Sequence, residues 1–301
     1  MATEEHAFDR SLVPGIERPR AAGEAPPSGR RDAVVRIALV GFSILFIMPL
    51  LWLVSSSLKV RSEVFSSEWI PDPLQWSNYA AVWREAPVLQ WFGNSLLVGV
   101  LATASVTISS AFVAFGFAYF RFRWRKAVFG LVLATMMLPA AVTMVPTFII
   151  WDRLGWTNTH VPLWAHNLFG SAFYIFMLRQ FFLGIPRDLF DAARVDGANY
   201  FQVWWRIAMP LTKPALIVVA IFEFKASWFD LMRPLIYLTD EARYTMPLGL
   251  KALMDQFGQA GTQAWELLMA GTVLITAPMI LLFFVGQRYF VEGIATTGTK
   301  G

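Results

Sequence analysis

The chain has 301 residues, of which 56% are hydrophobic, 15% aromatic and only 15% charged, whereas a soluble domain carries about 25% charged residues; water is excluded as its main solvent. With no cysteine in the sequence, a disulfide framework, a thiol nucleophile and a thiolate metal site are excluded together. The formal charge of +4 is small, and no basic patch with interleaved aromatics marks a nucleic-acid surface, so the placement of charge matters more than its sum.

Residues 1–32 mix Glu, Arg, Pro, Gly and Ala without apolar periodicity and read as a disordered tail. The first apolar run begins near Ala33 and is long enough to span, which is unlike a signal peptide. Runs able to cross a bilayer as a helix, roughly 18–20 residues, place six spans at about 33–54, 94–120, 127–150, 161–182, 214–238 and 265–285. Pro49 is tolerable near the end of the first span, and Pro139, Pro146 and Pro278 are expected to kink theirs. The Ala/Ser/Thr-rich run Ala102–Ala111 fits close helix packing.

The positive-inside rule gives the orientation. Arg30, Arg31 and Arg36 precede or open the first span, Arg121, Arg123, Arg125 and Lys126 lie between spans two and three, and Arg179, Arg187, Arg194, Arg206 and Lys213 lie between four and five. The opposite side carries only Lys59, Arg61, Arg84, Arg153, Arg243 and Lys251. A multi-pass protein of a bacterial or archaeal plasma membrane is expected, with both termini and the 186–214 loop in the cytoplasm. The outer segment Ser55–Gly93 is rich in Trp and Pro, and Thr239–Ala264 is expected to be helical over Leu248–Phe257; their aromatics read as interface anchors or, alternatively, as partner contacts.

The loop Asp191–Pro214 is a polar, helix-breaking island between apolar runs. After Pro186, Asp188 is expected to cap a short helix over Leu189–Val195. Gly197 allows a left-handed break, Asn199 is expected to cap a second helix running through Arg206, and Pro210 and Pro214 prevent a simple continuation into span five. Ala192, Ala193 and Gly197 keep the surface low, while Leu189, Phe190, Tyr200, Phe201, Trp204 and Trp205 supply anchors. The element reads as a lever of two short helices lying across the ends of the spans.

This loop resembles the EAA motif of ABC importer permeases: an acid and two alanines (Asp191, Ala192, Ala193), Gly197 after three residues, and, after nine more, Ile207, Met209 and Pro210. Asp191 stands where Glu is usual and Met209 where Leu is usual. SSSLKVRSEVF after span one, NYAAVW, FGNSLLV, PLIYL followed by YTMPLGL, and the terminal QRYFVEG are similar to the carbohydrate branch of that family, in the subunit type of the maltose permease G component. The resemblance implies an all-α, six-span type I importer subunit whose coupling helix docks on a separate ATPase. It further implies a second, usually different, permease chain, two ATPase chains that bind ATP and Mg, and an extracytoplasmic sugar-binding protein. Asp191, Ala192, Ala193, Gly197, Ile207 and Pro210 would carry the coupling, moving the bundle between inward-open and outward-open states.

The chain has no G-x-x-x-x-G-K-[ST] loop, so it is not expected to hydrolyse ATP itself. Glu223, Lys225, Asp230 and Arg233 in span five are costly in lipid unless they face protein or water. Asp230 and Arg233 are spaced to share a helical face, whereas Glu223 and Lys225 are not. Glu223, Trp228 and Asp230 are the candidate substrate-pathway residues, intersubunit ion pairing being the alternative. His160 and His166 read as hydrogen-bonding groups, and no metal site or catalytic residue is expected. The reading is an ATP-driven importer of a di- or oligosaccharide. Its alternatives are a polyol or glycerol phosphate importer of the same family and a proton-coupled secondary transporter using span-five carboxylates.

Overall fold

The computed structural model describes residues 29–259 and 264–298. The tail expected over residues 1–32 therefore lies outside the described residues as far as residue 28. In chain order the helices are α1 (Gly29–Ser57), α2 (Ser77–Glu85), α3 (Val88–Tyr119), α4 (Arg125–Ala134), α5 (Ala140–Arg153), α6 (Val161–Trp164), α7 (Ala172–Leu183), α8 (Arg187–Val195), α9 (Tyr200–Val203), α10 (Met209–Leu211), α11 (Lys213–Trp228), α12 (Met232–Tyr237), α13 (Met246–Gln259) and α14 (Trp265–Gly298). No strand occurs among the described residues.

Four segments, 32–57, 88–119, 161–183 and 265–287, are long and apolar enough to cross a membrane, and two bent helix pairs raise the total to six if each pair is one span. The chain through Leu51 and the chain from Trp52 form separate compact units. Within the first, every side chain from Asp32 to Leu51 is exposed. Such a stretch is suited to lipid or to another chain, because it has no core of its own to face.

Within the second unit α3 is the spine, with α7 and α11 packed along it and α14 against α11. The sequence permits this because α3 buries Gly99, Ala102, Ser110, Ala111, Ala114 and Ala118; in a membrane, small residues at the contact let backbones approach where burial from water gives no drive. At Gly99 a Cβ would come within 3.0 Å of Phe224. Toward one end, Trp91 and Trp228 are buried with Met246, Leu250, Leu253 and Leu267. Gly249 is required there, since any Cβ at that position would overlap the Trp91 ring. Arg61 donates to Glu266 at 2.8 Å and ties the segment after α1 to the start of α14; this hydrogen bond raises the guanidinium pKa above its ordinary value.

Three expected spans differ in form. The span at 127–150 is two helices meeting at 99°. Pro139 breaks it rather than kinking it: Leu138 is forced extended (ψ 118°), as the residue before a proline tends to be, and α5 starts afresh at Ala140. The span at 161–182 is interrupted by a 3₁₀ turn over Ala165–Phe169 that ends at Gly170, φ 77°. In the third, α11 stops at Trp228 and α12 begins at Met232, so the span at 214–238 is not one helix and Asp230 lies in the break.

Candidate functional site

Two features stand out in the second unit, an elbow over residues 187–211 and a largely apolar cavity with a few charged and polar groups in its wall. The elbow begins at Pro186, whose extended ψ of 132° makes it the N-cap. Asp188 therefore sits inside the first turn, where an acid favours the helix dipole, and does not cap as expected. Phe190 is 3% exposed and packs edge-on against Phe115 and Tyr119, at 5.9 and 5.5 Å between ring centroids. Arg187 donates to the Tyr119 carbonyl at 2.6 Å. These contacts fasten α8 to the end of α3.

The end of α8 is a Schellman motif. The Ala198 amide donates to the Ala193 carbonyl at 2.9 Å and the Gly197 amide to the Arg194 carbonyl at 3.1 Å, with Gly197 at φ 87°. Nothing lies within 4 Å of a Cβ built on Gly197, so backbone conformation rather than space demands glycine. Asn199 then forms a capping box with Gln202, accepting from its amide at 2.9 Å while its own amide donates to the Gln202 side chain at 2.8 Å. Arg194 bridges the turn by donating to the Ala198 carbonyl at 2.5 Å and lies 4.2 Å over the Tyr200 ring.

The second arm buries Val203, Trp204 and Ala208 in the core that holds Phe190, and Trp204 meets Phe112 edge-on at 5.3 Å. Trp204–Ala208 is a π-helical turn, which widens the helix around half-buried Ile207 just before exposed Pro210. Pro210 and Pro214 supply no backbone N–H, Thr212 returns its hydroxyl to the Ala208 carbonyl at 2.8 Å, and the chain turns by 81° into α11. On the other side of α8, Asp191, Ala192 and Val195 are bare. The two alanines thus divide: Ala192 faces outward, while Ala193 packs on the chain's own core. The face opposite the bare one is thus joined to α3 through Phe190, and Thr212 lies at the turn into α11.

The span-five candidates do not come together. Glu223 is buried and accepts from Asn167 Nδ2 at 2.6 Å, while the Asn167 carbonyl accepts from Ser109 at 3.0 Å; Glu223 ties α11 to α3 through the 165–169 turn. Trp228 is 1% exposed. Its indole N–H donates to the Ile275 carbonyl at 2.9 Å, and its ring is covered by Phe224 and Phe92 at 5.5 and 5.3 Å, which leaves no aromatic face for a ligand in this conformation.

Asp230 does line a cavity, of about 520 Å³, with Thr143, Thr147, Trp151, His166, Arg233 and Tyr237. Its Oδ2 pairs with Arg233 Nε at 3.1 Å, and Oδ1 accepts from the Met232 and Arg233 amides at 3.1 and 3.3 Å. His166 Nδ1 faces the Pro162 carbonyl at 3.2 Å and must donate to it. Nε2 is therefore the nitrogen that accepts from Arg233 Nη1 at 2.6 Å. Arg233 was legible as a costly charge; Trp151, Thr143 and Thr147 gave no signal, because only the break at Pro139 brings α5 to this wall.

The sequence profile described as "Binding-protein-dependent transport system inner membrane component" matches residues 109–296, a stretch that includes both features. The chain is 33% identical over 278 residues to the arabinooligosaccharides transport system permease protein AraQ of Bacillus subtilis (strain 168), covering 89% of this chain and 97% of that protein. Against the diacetylchitobiose uptake system permease protein NgcG of Streptomyces coelicolor, identity is 31% over 287 residues, with 93% of each covered. Its fold is like that of a chain in the crystal structure of a bacterial ABC transporter involved in the import of the acidic polysaccharide alginate. There the TM-score is 0.74 at 23% identity, with 89% of this chain and 99% of that chain covered.

Proposed function

Because the chain belongs to the family of binding-protein-dependent transport system inner membrane components, we propose that it is a membrane-embedded subunit of an ATP-driven sugar importer and that the elbow is where it receives force. It is a transport subunit with the all-α type I importer fold, not an enzyme; nucleotide hydrolysis belongs to separate subunits. The observation that carries the mechanical reading is the two-sided elbow. One face is locked into the core by Phe190, Val203 and Trp204, and the other leaves Asp191, Ala192 and Val195 bare. A rigid element with one fixed and one open face suits a docking lever that biases a two-state bundle.

In this reading Asp191, Ala192 and Val195 meet an ATPase chain. Ala193, Gly197, Ile207 and Pro210 shape the lever and its link to α11. The elbow and both termini face the cytoplasm, in keeping with the lysines and arginines of the 121–126 and 179–213 segments. The assembly contains a second permease chain, two ATPases holding ATP and Mg, and an extracytoplasmic binding protein that delivers the sugar. The arabinooligosaccharide, diacetylchitobiose and, in Rhizobium radiobacter, lactose permeases among its relatives support an oligosaccharide as cargo.

A proton-coupled secondary transporter is less well supported, since the span-five carboxylates are committed to Asn167 and to Arg233. The test is reconstitution of the assembled complex in liposomes. Sugar uptake should require ATP and should persist after the proton gradient is collapsed. Uptake without nucleotide, abolished by an uncoupler, would reject the reading.

A further inference from the structure

We propose that the turn joining α3 to α4 holds the anionic headgroup of a phospholipid, its phosphodiester gripped by Arg121, Arg123, Arg125 and Lys126 from the turn and by Arg179 from α7. The proposal goes beyond the importer reading and needs only a chain embedded in a membrane. The turn follows directly on the apolar segment 88–119, which puts residues 120–126 where a bilayer has its headgroups. Arg179 joins them because α7 packs on α4. Its guanidinium lies 4.4 Å over the Phe129 ring, and Phe129 comes one helical turn after Arg125, on the same face of α4.

The charge here is fixed in place and unbalanced. Arg125 Nη1 donates to the Phe120 carbonyl at 3.2 Å and Arg179 Nε to the Phe117 carbonyl at 3.4 Å, both at the end of α3. These bonds seat two half-buried side chains and leave most of each guanidinium's donors free. The two guanidinium groups stand near enough to repel one another. Among the described residues none of the five cations belongs to an ion pair. An anion set between them would remove the repulsion and take up the spare donors.

The surroundings suit a lipid better than a soluble anion. The turn exposes Phe122 and Trp124, the latter at 63%, with Arg123 5.3 Å over the Trp124 ring. Exposed aromatics beside a span mark the interfacial zone of a bilayer, and clustered Lys and Arg next to a span draw anionic lipids. A free phosphate would use the cations and leave these rings in water. The start of α4 agrees with this: it carries Arg125 and Lys126, no acid in its first turn and no side-chain cap, an arrangement that the helix dipole disfavours without a nearby anion.

The full permease–ATPase complex in a neutral maltoside detergent is titrated with palmitoyl-oleoyl phosphatidylglycerol or with the phosphatidylcholine of the same chains. The lipid carried by this chain is counted by native mass spectrometry. Phosphatidylglycerol should bind about tenfold or more tightly than phosphatidylcholine. Arg123→Gln with Lys126→Gln, both exposed, should weaken it about thirtyfold, at roughly fivefold for each cation beside an anionic headgroup. Arg84→Gln with Arg153→Gln removes two exposed cations elsewhere on the chain and should change nothing. If the first double variant does not assemble, Arg121→Gln, also exposed, carries the test with a loss of about fivefold. Glycerol 3-phosphate at the same concentration should not displace the lipid.

Equal affinity for the two lipids overturns the proposal, as does a 123/126 variant that binds like wild type or an 84/153 variant that falls as far. Displacement by glycerol 3-phosphate would make this a site for a soluble phosphate and overturns it too. ATP-driven sugar uptake is read separately in liposomes, so either reading can fail while the other stands.

Discussion

Gly197 gives the sharpest test of the elbow as a lever. Its φ of 87° lies where an L-residue pays about 1–2 kcal/mol, and a Cβ there would touch nothing within 4 Å, so the penalty is purely one of backbone conformation. A change of 1–2 kcal/mol alters a local equilibrium by roughly 5–30-fold. Asparagine tolerates the left-handed region better than alanine. Aspartate adds a negative charge beside Asp196 at the helix C-terminus, where the dipole opposes it by about 0.3–1 kcal/mol. The expected order of uptake in liposomes is therefore wild type, Gly197→Asn, Gly197→Ala and Gly197→Asp, the last without transport, with all four proteins inserted in equal amount. Sugar-stimulated ATP hydrolysis should fall in the same order. Normal uptake by a well-inserted Gly197→Asp protein, or an alanine variant no worse than asparagine, would refute the reasoning.

Phe190→Ala removes the buried anchor of α8, a loss of about 3–5 kcal/mol for a core aromatic; trypsin cleavage within the elbow should rise and uptake should be lost, whereas unchanged cleavage would mean that α8 is held by something else. Gly249→Ala drives a methyl group into the Trp91 ring and should lower the thermal unfolding temperature of the detergent-purified protein, overpacking costing about 1–3 kcal/mol; an unchanged temperature would place Trp91 elsewhere. Glu223→Gln keeps an oxygen to accept from Asn167, so uptake should stay close to wild type and insensitive to an uncoupler. Loss of uptake in that variant would instead support a proton relay.

The elbow was legible because its determinants are local. A glycine four residues after Ala193 becomes the left-handed position of a Schellman motif, and Asn199 caps with Gln202 inside the same short stretch. Even there, the helix begins two residues earlier than expected: Pro186, extended at ψ 132°, takes the N-cap, and Asp188 falls within the first turn. Long-range packing was not legible. Trp228 has the composition of a sugar platform, yet Phe92, Phe224 and the Ile275 carbonyl, from separate helices, cover it. The cavity is tertiary in the same sense. The break at Pro139 turns α5 by 99°, and residues with no mutual spacing in the chain then share a wall.

If the elbow takes force from a nucleotide-hydrolysing neighbour, a single thiol on its bare face must lie against that neighbour. Val195, 87% exposed, is replaced by cysteine in the otherwise cysteine-free chain, and a short bifunctional cross-linker is applied to the assembled complex in sealed membranes. An adduct between this chain and the ATPase subunit is expected, with Val195→Cys protected from impermeant reagents added outside the cell. Labelling of that thiol from the outer face, or an adduct lacking any nucleotide-hydrolysing chain, would contradict it.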